Sequence, residues 1–406
     1  MDSRQRLRLL VAFEFSPNAS GGGPAVVRQL LRGWPAEDLF WWSCFPERDA
    51  RFGQVFGGKA CARIPAKLRP LRRFTSVKSW LLERAWAPFA ATHLRRTIRA
   101  VRPDAIWAVP HNWAILPQAA VLPRAGVGFH VTFQDYVDVH GQEESFGPAR
   151  CRRMAGLADA LYAGATTRDA TSHPMIADLQ VRTGAPAAQM LHAGVEDEEL
   201  RALAVRSVRP AGEVRIAHAG SILAPEAFGL FVETVSRLRA ELPHPVTLEL
   251  FGAHSHAHER WFEPAWMRER GNLAEPELLA ALRDCTWGFS PMVLTDAAPR
   301  YNRFSFPTKF ITYLGAGLPV ITLGHPECSV MKMAAQYAVG PSSGARDAVT
   351  LAKQLRAALA DPNPSSHYGG EVLRCAREEF SASRMRAVLN ECFGKCAEAT
   401  RARRAV

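Results

Sequence analysis

The sequence of 406 residues contains no apolar run near the ~20 residues that a membrane span requires. Its eight cysteines, at positions 44, 61, 151, 285, 328, 375, 392 and 396, form no CxxC pair and no zinc spacing. With no secretory segment ahead of them, they read as reduced thiols of a cytoplasmic protein. Cys392 and Cys396 stand one helical turn apart, a spacing that suits packing better than redox chemistry. The first apolar stretch, Leu9 to Phe15, is interrupted by Glu14 and stopped by Pro17, so it reads as a β-strand and not as a targeting signal. No short-period repeat is present, which excludes a solenoid. No Lys-Ser/Thr pair follows Gly21-Gly22-Gly23, which excludes a Walker phosphate loop. Acidic residues are comparatively few, 39 against 50 Lys and Arg, and the net charge is +11.

With 48% hydrophobic and 22% charged residues the chain is globular, and its length exceeds one ordinary core. Strand-like and helix-like runs alternate along it. "RLRLLVAFEF", "PDAIWAVPHN", "GVGFHVTFQDY", "ADALYAGA" and "AQMLHAGV" read as strands of a first half, with a glycine loop and helix in "SPNASGGGPAVVRQLLRGW". "VRIAHAGSI", "PVTLELFGA" and "TWGFSPMV" are strands of a second half, separated by the helices "PEAFGLFVETVSRLRAEL" and "EPELLAALRDC". Such alternation predicts parallel βαβ units. The expected organisation is an N-terminal Rossmann-like domain over 1–195, a linker over 196–213 and a C-terminal Rossmann-like domain over 214–381. A last helical segment over 382–406 is expected to cross back to the first domain. In such folds ligands bind beyond the C-terminal ends of strands, here after residues 15, 110, 133, 220, 252 and 292.

The segment "NRFSFPTKFITYLGAGLPVI", Asn302 to Ile321, combines loop, helix, turn and strand. Pro307 suits a first helical turn, where its missing N–H costs nothing. Phe310, Ile311 and Leu314 form an apolar face. Gly315 and Gly317 can stop the helix in left-handed conformations, and Leu318 to Leu323 reads as a buried parallel strand. The free N–H groups of the helix start, with Ser305, Thr308 and Lys309 beside them, make a candidate phosphate site. An ordinary αβ connection with a solvated Lys309 is the plainer alternative.

These residues carry a resemblance. "SGGGPAVVRQL", "LHAGVE", "AHAGSI" and above all "FPTKFITYLGAGLPVI" resemble the family 4 retaining glycosyltransferases of the GT-B fold. The resemblance implies an α/β chain of two doubly wound domains facing a central cleft. It further implies a nucleotide-diphosphate sugar on the C-terminal domain and an acceptor on the N-terminal one. The donor residues would be Gly220, Ser221, Arg303, Ser305, Pro307, Thr308, Lys309 and Thr312. Gly21, Gly22 and Gly23 would form an acceptor or phosphate loop, and Asp135 and His111 the catalytic pair. The chain departs from the family pattern at five places. The ribose-binding Glu falls on Thr312 and its partner on Phe304; the usual Arg and Lys after Gly220 fall on Ser221 and Glu226; the His of a His-Asp pair falls on Gln134. Arg300, Arg303 and Lys309 are the cations available to replace those lost.

Retaining transfer in such a site requires no protein nucleophile, no cofactor and no obligatory metal. The stabilisation of the leaving diphosphate falls to Lys309, Arg303 and the helix start. Asp135 reads equally as a turn residue and His111 as a structural histidine. His254, His256 and His258 alternate as metal ligands could, or form a polar loop. A non-catalytic GT-B-like binding or scaffold protein is the alternative function, which the departures permit. From Lys59 to Arg102 there are twelve Lys and Arg and one acid, Glu83, with Trp80, Leu81, Leu82, Trp86 and Phe89 among them. This segment is expected to hold the protein peripherally against the inner face of an anionic membrane, near a lipid-linked acceptor, with Trp80, Leu81 and Trp86 inserting. A nucleic-acid surface and a solvated basic face are its rivals.

Overall fold

The computed structural model describes residues 6–17, 22–47, 56–68, 74–136, 147–186, 188–204, 212–295 and 300–405. The chain divides into two compact units, Met1–Ala193 with Arg384–Val406, and Gly194–Ser383. Helix Asp197–Ala204 occupies part of the stretch read as a linker and belongs to the second unit.

In the first unit the strands are β1 (Leu9–Ala12), β2 (Leu39–Ser43), β3 (Gly58–Cys61), β4 (Ala105–Ala108), β5 (Phe129–Phe133), β6 (Thr167–Ala170) and β7 (Gln189–Met190). They form one parallel sheet in the order β3-β2-β1-β4-β5-β6-β7. β1 is central and wholly buried, which its unbroken Leu-Leu-Val-Ala run anticipates. Val11 pairs with Trp41 on one side and Trp107 on the other, and both indoles are buried. "ADALYAGA", expected as a strand, is instead the end of helix Pro148–Gly164; Ala158, Leu161 and Tyr162 are buried at helical spacing. The strand that follows is the polar "TRDA", whose Asp169 pairs with His130 of β5 at 2.6 Å, both fully buried.

The second unit contains β8 (Val214–Ala219), β9 (Val246–Phe251), β10 (Met267–Gly271), β11 (Trp287–Pro291), β12 (Val320–Leu323) and β13 (Ser342–Ser343). This sheet is also parallel, in the order β10-β9-β8-β11-β12-β13. Its core packs Phe228 and Phe231 of helix Pro225–Leu238 against Phe289 of β11, with the Phe231 and Phe289 rings stacked 3.7 Å apart. Edge strand β10 is charged: Arg268 and Arg270 reach the buried Glu249 of β9 at 3.6 and 3.5 Å. An edge of this kind resists pairing with other chains. Two parallel sheets flanked by helices thus make up the fold.

The C-terminal helix Ala382–Arg404 lies in the first unit from Arg384 onward. Phe393 packs on Trp34, Trp107 and His130, with ring centroids 5.6–5.8 Å apart. The Thr400 hydroxyl accepts from the Gly128 amide at 2.8 Å and lies 2.7 Å from the Asp104 carbonyl. All eight cysteines are free thiols. Among the described residues no helix is long and apolar enough to cross a membrane.

Gly128 sits where the start of β5 meets this helix, and a Cβ there would run into the Cys396 carbonyl. Two backbones cannot separate without disturbing the Phe393 contacts. Gly128→Ala is therefore expected to lower stability by about 1–3 kcal/mol, the usual cost of overpacking. Chemical denaturation compared with wild type measures it; an unchanged midpoint would show that the helix is not held as described.

Candidate functional site

A doubly wound sheet reverses its winding once, and beyond the strand ends at that point no helix fills the crevice. In the second sheet the reversal falls between β8 and β11. Helix Thr308–Gly315 starts beside it. Pro307 is the N-cap residue (φ −74°, ψ 121°), one place earlier than the first-turn position expected. It has no side-chain oxygen to cap the helix, so the start is left open to an outside acceptor. Phe310, Ile311, Tyr313 and Leu314 are buried beneath the helix, and Phe306 locks the turn through ring contacts with Phe310 and Phe380. Gly317 is left-handed (φ 72°) and ends the segment, whereas Gly315 is still helical and lies against Val195.

Lys309, second in this helix, reaches across to the loop after β8. Its ammonium donates to the Ser221 carbonyl at 2.8 Å and lies 3.4 Å from His218 Nε2. His218 Nδ1 is 3.3 Å from the Phe289 carbonyl. A carbonyl needs a donor, so Nδ1 carries the proton and Nε2 accepts from Lys309. Burial first, and the Lys309 charge second, push the His218 pKa well below its ordinary value, so the ring is neutral. The Lys309 side chain is half-buried, and desolvation pulls its pKa down to about 8. Gly220 turns the chain out of β8 with φ 82°, a conformation that excludes a Cβ at little strain, and its amide donates to Phe251 at 2.7 Å. Beneath the cluster the buried Tyr313 hydroxyl accepts from the Ala219 amide at 2.8 Å and donates to the Phe289 carbonyl at 3.2 Å, tying helix, β8 and β11 together.

The other donor candidates are less alike. Thr308 opens the helix, and the Thr312 hydroxyl donates to the Thr308 carbonyl at 3.2 Å within the same helix. Ser305 is buried in the preceding turn. Arg303 lies in the short helix Arg300–Phe304; its Nε is buried without a hydrogen-bond partner among the described residues, and its guanidinium lies over the Phe304 ring. The Ser329 hydroxyl anchors that turn at the carbonyls of Arg303 and Phe304, 3.0 and 2.9 Å away. Glu226, where a lysine is usual in the resembled family, is exposed in the first turn of helix Pro225–Leu238.

In the first sheet the reversal falls between β1 and β4. There Glu14, just past β1, is almost wholly buried. Its carboxylate lies 2.6 Å from His111 Nδ1 and accepts from the Asn112 side chain at 3.0 Å and the Trp113 amide at 3.3 Å. Asp135 lies half-buried in the bend after β5. Burial opposes a charged His111, yet the hydrogen bond and charge of Glu14, with the charge of Asp135, hold its pKa above the ordinary value. Gly22 and Gly23 begin helix Gly22–Leu30 instead of preceding it. A Cβ on Gly23 would meet Gln134 Oε1 at 2.6 Å, so the close approach that this glycine permits is to Gln134. Gly21 lies outside the described residues.

Sequence reasoning thus passed over Glu14, His218 and Tyr313. Glu14 signalled itself only as an acid interrupting an apolar strand, and His218 as a polar residue within "AHAGSI". Among the described residues no group of His, Cys, Asp and Glu gathers as a metal site. In the histidine-rich loop the Ser255 hydroxyl donates to Glu269 at 3.1 Å and His256 lies against Trp261.

No protein-family model matches the sequence, and no curated protein matches it. Solved structures do. Anabaena HepE, in complex with UDP-glucose, is similar over 95% of this chain and 98% of its own, at 13% identity and a TM-score of 0.64. Sucrose-phosphate synthase from Thermosynechococcus elongatus is similar over 94% and 97%, at 16% identity and 0.64. The α,α-trehalose 6-phosphate synthase from Burkholderia multivorans is similar over 97% of both chains, at 13% identity and 0.61. The likeness is one of architecture: the chain has the GT-B fold.

Proposed function

We propose that the protein is a retaining glycosyltransferase that moves a hexose from a nucleotide-diphosphate sugar to an acceptor in polysaccharide or glycolipid synthesis. The observation that carries this reading is Lys309: a cation in the first turn of an uncapped helix, at the winding reversal of the second sheet, tied to the loop after β8. A diphosphate seated there would take the helix-start amides and exchange the Ser221 carbonyl for its own oxygens as the partner of Lys309. As the glycosidic bond breaks, the diphosphate gains charge, and groups already aimed at it lower the barrier without reorganising. Arg303, with its unpartnered Nε, would add a second cation. On the first unit, His111 and Asp135 would contact the sugar or acceptor. The transfer needs no resident metal, since the positive charge is supplied by side chains and N–H groups. Anabaena HepE holds UDP-glucose, so UDP-sugars are the first donors to try.

Membrane attachment belongs to the same proposal, in altered form. Phe74, Val77, Trp80 and Phe89 are 77%, 56%, 54% and 56% exposed, and Lys67 and Arg84 are exposed near them in sequence. Trp86, expected to insert, is instead buried, with its indole donating to the Ala62 carbonyl at 3.1 Å. Arg69, Arg72 and Arg73 lie outside the described residues. Each basic residue near an anionic surface contributes about 1 kcal/mol, and apolar insertion by Phe74 and Trp80 adds to it.

Three outcomes are expected. Lys309→Ala weakens UDP binding by about 1.5–3 kcal/mol in calorimetry, the scale of a hydrogen bond to a charged group. Undiminished binding by a folded variant would remove Lys309 from the site, and absence of both UDP binding and UDP-sugar turnover in wild type would leave the scaffold reading. The second outcome concerns pH. A bound diphosphate favours charged Lys309 and so raises its pKa from about 8. UDP affinity should be level below that pH, fall as pH rises through it, and bring proton uptake there; Lys309→Ala should abolish this dependence. Third, sedimentation with anionic vesicles should be lost with Phe74→Ser and Trp80→Ser together, and weakened by salt, since screening acts within about 10 Å at 0.1 M. Equal binding to neutral vesicles would argue against the electrostatic half of this attachment.

A further inference from the structure

The cluster around Glu14 contains more than a histidine near a ligand crevice. Glu14 is 1% exposed, and a carboxylate so deeply placed is stable only if its oxygens are satisfied. Among the described residues all three hydrogen-bond partners of its side chain come from one short segment, His111-Asn112-Trp113, just past β4 across the winding reversal. The Trp113 amide belongs to the 3-10 turn Asn112–Ala114, so Glu14 caps that turn from another strand. Asn112 adopts a left-handed conformation (φ 39°), which asparagine tolerates better than most residues and which its own bond to Glu14 holds in place. The imidazole is wedged between Phe13 and Phe15, ring centroids 6.1 and 5.0 Å away. One ring nitrogen is therefore fixed. The other, Nε2, has no hydrogen-bond partner among the described residues, and the side chain keeps 22% of its surface exposed.

We propose that Glu14 is a positioning residue for His111: its carboxylate binds Nδ1–H inside the fold, and so presents Nε2 outward to a sugar hydroxyl at the C-terminal edge of β1 and β4, as a donor when the ring is doubly protonated and as an acceptor when it is neutral. The naming of a sugar oxygen rests on the transferase reading; the pairing of Glu14 with the ring does not. A free histidine in water favours the tautomer with the proton on Nε2 when neutral, so a carboxylate on Nδ1 holds the ring either doubly protonated or in the less common tautomer. The charged groups facing the ring are Glu14 from the β1 end and Asp135 from the β5 end, both acidic, and both favour the doubly protonated state. Cys44, whose amide donates to the Glu14 carbonyl, feels the same carboxylate, which together with burial keeps its thiol protonated. In the doubly protonated ring Nε2 donates a charge-assisted hydrogen bond; in the neutral Nδ1–H ring it accepts one.

The test is nitrogen-15 spectroscopy of the histidine rings, with the His111 signals assigned by their loss in His111→Asn. In wild type at pH 7.5 His111 is expected to carry a slowly exchanging proton on Nδ1. In Glu14→Gln the side chain keeps its length, but its amide now donates to Nδ1. The His111 midpoint should then move to lower pH by more than one unit, a tenfold change in its acid constant, and the neutral ring should carry its proton on Nε2. UDP binding by the full chain, read by calorimetry, should stay within twofold. A wild-type His111 found neutral with Nδ1 bare would overturn the proposal without any variant, as would an unmoved midpoint in Glu14→Gln or a collapse of UDP binding in that variant. Failure of the wild type to bind UDP would count against the transferase reading alone and leave the ring measurement to decide the role of Glu14.

Discussion

A parallel sheet wound in both directions must leave one pair of neighbouring strands whose following helices go to opposite faces. Every candidate group of this protein depends on that constraint. Between β1 and β4 and between β8 and β11 the strand ends are open, and the chain closes each gap with a polar bridge rather than with apolar packing. In the first unit the bridge is a carboxylate and an imidazole, and in the second an ammonium and a carbonyl. These bridges are the places where buried charge meets solvent, and chemistry is available there that the rest of each core forbids.

Burial acts on both bridges with opposite results. It disfavours any charged form, so the difference lies in the partners. Lys309 faces a neutral histidine and a carbonyl, and no acid among the described residues offsets desolvation, which leaves its pKa at about 8. His111 faces Glu14 and Asp135, which outweigh the same penalty and hold its pKa above the ordinary value. The second unit is thus a cation short of a counter-ion, suited to an arriving anion. The first unit carries its own counter-ion and suits a neutral, hydroxyl-bearing group. That contrast parallels the proposed division between a nucleotide diphosphate and an acceptor.

Stiffness around the sites comes from groups that touch neither bridge's outer face. Tyr313 ties helix Thr308–Gly315 to two strands through one hydroxyl, so Lys309 projects from a fixed base. Phe393 and Thr400 of the C-terminal helix perform a similar service beneath β4 and β5. A site built on strand ends and a packed helix is more exactly held than one built on loops.

The alternation of apolar strands with amphipathic helices determined two parallel α/β sheets, because each pattern has a single way to bury its apolar face. β1 is legible as a short unbroken apolar run, β8, β9 and β12 as apolar-rich runs broken by single polar residues, and Pro307-Thr308-Lys309 as a helix start with a cation. Local pattern failed where burial was shared with distant partners. "ADALYAGA" has the composition of a strand yet lies in a helix, because Ala158, Leu161 and Tyr162 meet the core at helical spacing. β6 is polar because its Asp169 is neutralised by a histidine 39 positions away. Trp86 reads as a membrane anchor in a basic segment, and only packing shows it turned inward on Ala62. Glu14 and His218 acquire roles through residues about 70 to 100 positions distant, and Tyr313 through partners 94 and 24 positions away. Sequence alone determined the alternating pattern of each half and where the chain carries charge. The tertiary structure decided which charges are paired, because pairing depends on which strand ends become neighbours, and no local spacing encodes that.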